Sequence, residues 1–265
     1  MRPHLLFLLR TATIAAAACV AGTAFAQAPD AQSARIWIGR EAEIEKFLES
    51  AEVVNMKEIG VGVTRPHRAT LAPGGPVDAM VWKPIKPGQY AGRWESYKSE
   101  IAAYELDKFF GLGMIPPTVE RKVRSEPGAA VMWVAPAQSF KDLGGVPGQK
   151  GIKGPPAALV GRWNLQVVRA KMMDNLIGNP DPNLGNWMVD PAWNLIVIDH
   201  SRAFTTSRNL YHAMTSVDLE LWDKMNALDE PTLTGVVGTW LDRTAIRNML
   251  ERRDKMREVV AKLKR

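Results

Sequence analysis

The sequence predicts an α+β chain, in which a small antiparallel sheet crossed by one helix is followed by a larger, mainly helical region. Three observations lead there. Between Met56 and Ile85 the apolar residues come in short, β-rich bursts separated by Gly and Pro, the signature of strands and turns. From Trp94 the spacing changes to that of one amphipathic helix, and from Thr215 to the end it stays helical. With 265 residues, 46% of them hydrophobic and 23% charged, the chain can bury a substantial core, which excludes a disordered protein.

The elements follow in order. Ile36, Ile38, Ile44, Phe47 and Leu48 fall on one helical stripe, so a first helix is expected over 34–51. "MKEIGVGVT", "RATLA" and "DAMVWKPI" then read as a three-stranded meander. The helix "SYKSEIAAYELDKFFGLG" runs from about Trp94 to Phe110 and stops at Gly111 and Gly113, because glycine terminates helices at little steric cost. "PPTVERKV" and "AAVMWVA" supply two more strands. A Gly/Pro/Lys-rich connector, 138–156, leads to a helix ending in "MMDNLIG", and "NWMVD" with "NLIVID" forms a hairpin around Pro191 and Ala192. The remainder is helices. The domain boundary is placed near Val134, dividing 34–134 from 135–265.

Residues 1–26 differ from everything after them. Arg2 precedes an apolar run ending in Ala24-Phe25-Ala26, the small-x-small pattern of a cleaved secretory leader, too short for a permanent membrane span. The expected mature chain therefore begins at Gln27, passes through a linker over 27–33, and is periplasmic or secreted. Cys19 is the only cysteine and lies in the leader, so the mature chain has neither disulfide nor thiol chemistry. Losing Arg2 and Arg10, with no acid in 1–26, takes the formal charge from +6 to +4. That mild basicity suits anionic ligands, but no dense Lys/Arg stripe with interleaved aromatics marks a nucleic-acid binder.

Between the connector helix and the hairpin, "DNLIGNPDPNLGN" packs two acids and four asparagines into Asp174–Asn186. Asn, Asp, Gly and Pro are ordinary turn formers, so the stretch becomes informative only through what else points at it. Asp199 ends the apolar strand "LIVID". Asn186 and Asp199 offer two oxygen ligands for a hard divalent cation, leaving Asp181 to orient or deprotonate a nucleophile. Phosphoryl transfer needs two further groups, a cation for nucleotide phosphates and an acid to hold that cation. Lys83 at the end of "AMVWK" and Glu100 in the next helix, among Tyr97, Ile101 and Tyr104, meet that need, with Lys86 a competitor for the role of Lys83. Gly60 and Gly62 in "EIGVGVT" could bring backbone amides to phosphates. Trp133 and Val134 either border a base-binding slot or are core residues of a strand. Asp174 reads as a structural anchor and His200 as a packing histidine. Arg202, Arg208 and the connector lysines Lys141, Lys150 and Lys153 read as solvated surface able to meet an acidic substrate.

"SEIAAYELDKFFGLGMIPPTVERK", "DNLIGNPDPNLGN" and "VIDHSRAF" together resemble the atypical kinases of the secretory pathway, the Golgi casein-kinase and xylosylkinase group, with bacterial spore-coat kinases and phosphatidylinositol kinases as more distant relatives. The resemblance covers about Glu58 to Met256. It implies a two-lobed protein-kinase-like fold, with ATP and Mg²⁺ or Mn²⁺ as cofactors. It also implies that Lys83 contacts the nucleotide phosphates, that Glu100 holds Lys83, that Asp181 is the catalytic aspartate, and that Asn186 and Asp199 bind metal. The acceptor is a hydroxyl on a protein, a sugar or a lipid headgroup. One departure stands out: the family has an arginine after the catalytic aspartate, whereas this chain has Pro182. Two other classes use the same residues: a nucleotide-binding pseudokinase, and a metal- or polyanion-binding envelope protein without turnover.

Overall fold

A computed structural model describes residues 32–60, 66–149, 151–181 and 183–263. The leader with Cys19, most of the 27–33 linker, Gly62, Lys150 and Pro182 lie outside the described residues. Among the described residues, no helix is long and apolar enough to cross a membrane.

The chain is α+β. After α1 (Glu41–Ser50), the strands β1 (Val53–Glu58), β2 (His67–Leu71) and β3 (Ala79–Lys83) form the expected meander. A short hairpin, β4 (Gly88–Tyr90) and β5 (Arg93–Glu95), precedes α2 (Tyr97–Phe110), and β6 (Thr118–Val123) and β7 (Glu126–Met132) follow. β7 returns beside β3, giving a five-stranded antiparallel sheet of order β1-β2-β3-β7-β6.

Alternation along the strands gives the sheet two different faces. Ala69, Leu71, Met80, Trp82, Ala130 and Met132 form one apolar face, which α1 covers with Ile44 and Leu48. Val81, Ala129 and Val131 on the other face meet Tyr97 and Ile101 of α2. Lys83 pairs with Ala129 across the ladder and so shares this second face.

The first helix is shorter than its apolar stripe predicted. Gly39 takes a left-handed φ of 77°, residues 36–39 form a turn, and the helix begins only at Glu41. Trp37 fills the core at 1% exposure, while Ile36 and Ile38 face outward. The helix expected from Trp94 likewise starts at Tyr97. Ser96 caps it by accepting from the Lys98 amide, because residues before it are still in β5. Its end is as expected, with Gly111 left-handed at φ 70°.

The turn after α2 hangs on a buried carboxylate. Asp107 accepts the Met114 amide at 3.0 Å, with further backbone bonds from Ile115 and Gly113. Burial pushes its pKa up to about 7, against the pull of those amides and of Arg35. A raised folded-state pKa means that Asp107 stabilises most when protonated, and that this contribution is lost as the pH climbs from about 4 through about 7. Asp107→Asn keeps an oxygen for Met114 but cannot ionise. Its Tm relative to wild type should therefore rise between pH 5 and pH 8, and a flat difference across that range would refute the account.

The rest of the chain carries a second sheet and the helices. β8 (Gln138–Ser139), in the segment read as pure connector, pairs with β9 (Trp187–Val189), which pairs with β10 (Leu195–Val197). A short 3-10 turn leads into α3 (Val160–Ile177), and α4 (Leu219–Asn226), α5 (Glu230–Val237) and α6 (Arg243–Leu263) complete the fold. One large apolar cluster joins Ala102, Leu106 and Phe110 of α2 to α3 and the three last helices. α2 is therefore packed on both sides, which fixes the position of Glu100.

Candidate functional site

Lys83 is placed by the β3 ladder and Glu100 by the first turn of α2. Lys83 Nζ lies 2.6 Å from Glu100 Oε1 and 3.0 Å from Asp199 Oδ1. Lys83 and Glu100 are 8% and 3% exposed, whereas the Asp199 side chain is 41% exposed. The ammonium thus bridges a buried acid and an acid open to ligand. Burial alone would lower the Lys83 pKa, but Asp199 and Glu100 overcome it and raise it above the ordinary lysine value. For Asp199, desolvation pushes upward and Lys83 outweighs it, holding the carboxyl below its usual range. Both groups are charged at neutral pH. The second oxygen of Glu100 accepts the backbone N–H of His200 at 3.0 Å, tying α2 to the segment after β10.

Asp199 sits just past β10 in a left-handed conformation, φ 65°, which a non-glycine residue adopts at a cost of order 1–3 kcal/mol. The carboxylate is thereby turned out of the strand's alternation and toward Lys83. Ser201 Oγ, with one proton to give, lies 3.3 Å from Asp199 Oδ1 and 3.4 Å from Glu95 Oε2.

The oxygen-rich loop is held by its own polar groups. Asp174, buried at the end of α3, accepts from Asn179 Nδ2 at 3.0 Å and lies 3.0 Å from His212 Nε2. Asn179 Oδ1 accepts the Asp181 amide at 3.2 Å. Asp174 is thus the anchor its sequence position suggested, and its grip reaches Asp181 through one intermediary. Behind the loop, Gly178 is left-handed at φ 65°, and a Cβ there would come within 2.6 Å of Arg252 Cζ. Arg252, fully buried on α6, donates to the carbonyls of Leu176 at 2.9 Å and Ser207 at 2.7 Å, and to that of Thr205 at 3.3 Å.

Asn186 reaches Asp199 through the backbone: its carbonyl accepts the Ile198 amide at 2.9 Å. Its side chain is buried, and Nδ2 has no hydrogen-bond partner. A buried amide with an orphaned Nδ2, just before the strand paired with the one leading to Asp199, fits a cation site, because half a turn of the amide presents Oδ1, a hard oxygen ligand. Among the described residues, no group of three or more His, Cys, Asp or Glu is placed to hold a metal ion. His200 is buried with Nδ1 unpartnered, so it packs without being fully satisfied.

Gly60 follows β1 in the β1–β2 connection, at the end of the sheet where Lys83 lies, because Glu58 pairs with His67 and His67 with Trp82. A Cβ at Gly60 would meet open space and its φ is ordinary, so nothing in its own geometry demands glycine. Trp133 and Val134 lie four residues up the ladder, where the Trp133 amide donates to Ala79 O at 3.1 Å. A strand rise of ~3.3 Å per residue puts that point about 13 Å from Lys83 on the same face. Val134 belongs to the apolar core, whereas Trp133 is half-buried under the Arg68 guanidinium, 4.4 Å from its ring centre. Lys86, the competitor for Lys83, lies past β3 and outside this group.

The Golgi casein kinase with Mn/ADP bound has the same arrangement of elements at TM-score 0.58, with 12% identity over 82% of this chain and 74% of that one. A second structure of the Golgi casein kinase matches at TM-score 0.58 and 14% identity, over 82% and 73%. Hydra Fam20 with sugar matches at TM-score 0.58 and 15% identity, over 85% of this chain and 89% of that one. This chain has the kinase-like fold. No family model and no curated protein sequence matches it.

Within the kinase-like fold, one residue that the sequence left on the surface belongs to the site. Arg202 is only 18% exposed in its side chain, and it donates through Nη1 to Asp181 Oδ2 at 2.9 Å and through Nε to Glu95 Oε1 at 3.1 Å. Glu95 and Asn179 were not singled out either. The available signal was the place of Arg202, three residues after Asp199 in "VIDHSRAF". Beside Asp181 and Arg202 opens a cavity of about 1010 Å³, lined in part by Trp94, Lys98, Tyr211 and Trp240.

Proposed function

We propose that this chain is an exported atypical kinase that transfers the γ-phosphoryl group of ATP to a hydroxyl acceptor. The observation that carries the reading is Lys83, bridging Glu100 at 2.6 Å and Asp199 at 3.0 Å on a kinase-like fold. A buried lysine fixed by one acid, facing a second and more open one, is what a phosphate-holding cation beside a metal-holding carboxylate requires.

Lys83 would hold the nucleotide's phosphates, and Trp133, about 13 Å away on the same face of the sheet, would border its base. Asn186 and Asp199 would hold Mg²⁺ or Mn²⁺, which would neutralise charge on the phosphates. Asp181 faces the cavity and accepts the proton of the acceptor hydroxyl as its oxygen bonds to the γ-phosphorus. The bond from that phosphorus to the bridging oxygen breaks, and ADP leaves with the electron pair. The acceptor is a protein Ser/Thr, a sugar or a lipid headgroup, and residues 34–134 and 135–265 serve as the nucleotide-binding and catalytic lobes. The apolar run ending at Ala26 supports export to the periplasm or beyond.

Binding can be read without knowing the acceptor. ATP with Mn²⁺ or Mg²⁺ at a hundred times Kd should stabilise the fold by about 2.7 kcal/mol, because ligand binds only the folded state. That corresponds to a rise in Tm of about 5–10 °C. Lys83→Ala and Asp199→Ala should each lose the rise relative to their own baselines. No rise at millimolar ATP in the wild type sinks both the kinase and the nucleotide-binding pseudokinase. A rise from metal alone, unaffected by Lys83→Ala, favours a metal-binding envelope protein.

A further inference from the structure

The geometry points to Arg202 as the positioning residue for Asp181, supplying from outside the loop the basic partner that Pro182 does not. The inference rests on the kinase reading above.

Asp181 is carried by a loop whose next residue is proline, so no neighbouring side chain with a cation can fix its carboxylate. Its amide is tethered to Asn179, but an amide bond leaves the side-chain torsions free. Arg202 supplies that restraint. Its Nη1 takes Asp181 Oδ2 at 2.9 Å, leaving Oδ1 for an acceptor hydroxyl in the cavity that both residues line.

A long arginine side chain orients another group only if it is itself fixed. Glu95, 1% exposed at the end of β5, accepts Arg202 Nε at 3.1 Å and lies 3.4 Å from Ser201 Oγ. The guanidinium is therefore gripped by a buried acid and presents its free edge to Asp181, a preorganisation that a lysine's rotatable ammonium reproduces only in part.

The same residues link Asp181 to the metal-side acid. Ser201 Oγ lies between Glu95 and Asp199 and can give its one proton to either, and Asp199 is held by Lys83. A continuous polar chain thus runs from Glu100 through Lys83, Asp199, Ser201, Glu95 and Arg202 to Asp181. The spacing between the proton acceptor's loop and the phosphate-holding lysine is set along it, because Arg202 and Asp199 lie on one short segment.

The test compares wild type, Arg202→Met, Arg202→Lys, Glu95→Gln, Asp181→Asn and the Asp181→Asn/Arg202→Met double variant. ADP release under saturating ATP and Mn²⁺ is measured beside the nucleotide-induced rise in Tm. Arg202→Met should lower kcat about 10–100-fold, the scale of losing orientation at a reacting group, with KM for ATP and the Tm rise within twofold of wild type. Arg202→Lys should recover part of the loss, Glu95→Gln should show a smaller one, and the double variant should be no slower than Asp181→Asn. A purely structural role would instead raise KM and abolish the Tm rise together. Should Arg202→Met prove unfolded, Arg202→Lys and Glu95→Gln carry the same comparison. Turnover in the wild type that is undiminished in the Arg202 variants overturns this inference and leaves the kinase reading standing. A wild-type chain that binds ATP but neither hydrolyses it nor phosphorylates itself or any protein, sugar or lipid offered as acceptor overturns both.

Discussion

Asp181→Asn should lower turnover by roughly two to four powers of ten while leaving the ATP-dependent rise in Tm intact. That is the range removed when a positioned proton acceptor is lost. Binding should survive because Asp181 is tied to Arg202 and Asn179, whereas the proposed sites for phosphates and metal are Lys83, Asn186 and Asp199. Asparagine keeps an oxygen toward Arg202, so the loop need not move. The change therefore separates chemistry from binding. Steady-state ADP release with a nucleotide titration by thermal unfolding gives both quantities on one sample. Equal loss of binding and turnover would mean that Asp181 serves the nucleotide and not the acceptor.

Lys83→Met should destabilise the apo protein by about 3–5 kcal/mol, and Glu100→Gln added to it should restore most of that. Removing one member of a buried ion pair leaves the other charge without compensation, which costs more than the pair itself contributed. Glu100 is 3% exposed and would keep only the His200 amide, 3.0 Å from Oε2. A neutral glutamine can still accept that amide, and Asp199, the other acid on Lys83, is 41% exposed and open to water, so the double variant buries no lone charge. Urea unfolding of both singles and the double closes the cycle. Additive losses would show that Glu100 has other partners able to hold its charge. The experiment reads the ion pair with no ligand present, so it stands whatever the acceptor proves to be.

α2 was legible because its signals are local, the apolar spacing and Gly111 with Gly113 at the end, although its start was drawn at Trp94, ahead of the Ser96 cap. Glu100 came with it, since a helix phase assigns its side chain to a face. The oxygen-rich loop was legible as composition. What it is tied to was not, because Arg202 lies 21 residues away and its partner Glu95 lies 107 residues before it. No periodicity reports a contact of that separation. The hairpin β4–β5 has three residues per strand and β8 has two, too few for alternation to register. The first helix was drawn too long because Ile36 and Ile38 fit its stripe. The pattern could not reveal that the chain turns at Gly39 and buries Trp37 between them.

Arg252 has a bearing on when the molecule becomes competent. Its guanidinium binds the carbonyls of Leu176, Thr205 and Ser207, closing α3 against the segment beyond Asp199, with the left-handed Gly178 making room. All the residues assigned to phosphate, metal and proton are already present once residue 199 has been synthesised, yet this stitch arrives from α6, 53 positions later. Maturation of the site is thus timed by the last helix, and a chain halted between residues 199 and 252 would carry the whole constellation in an unclosed form.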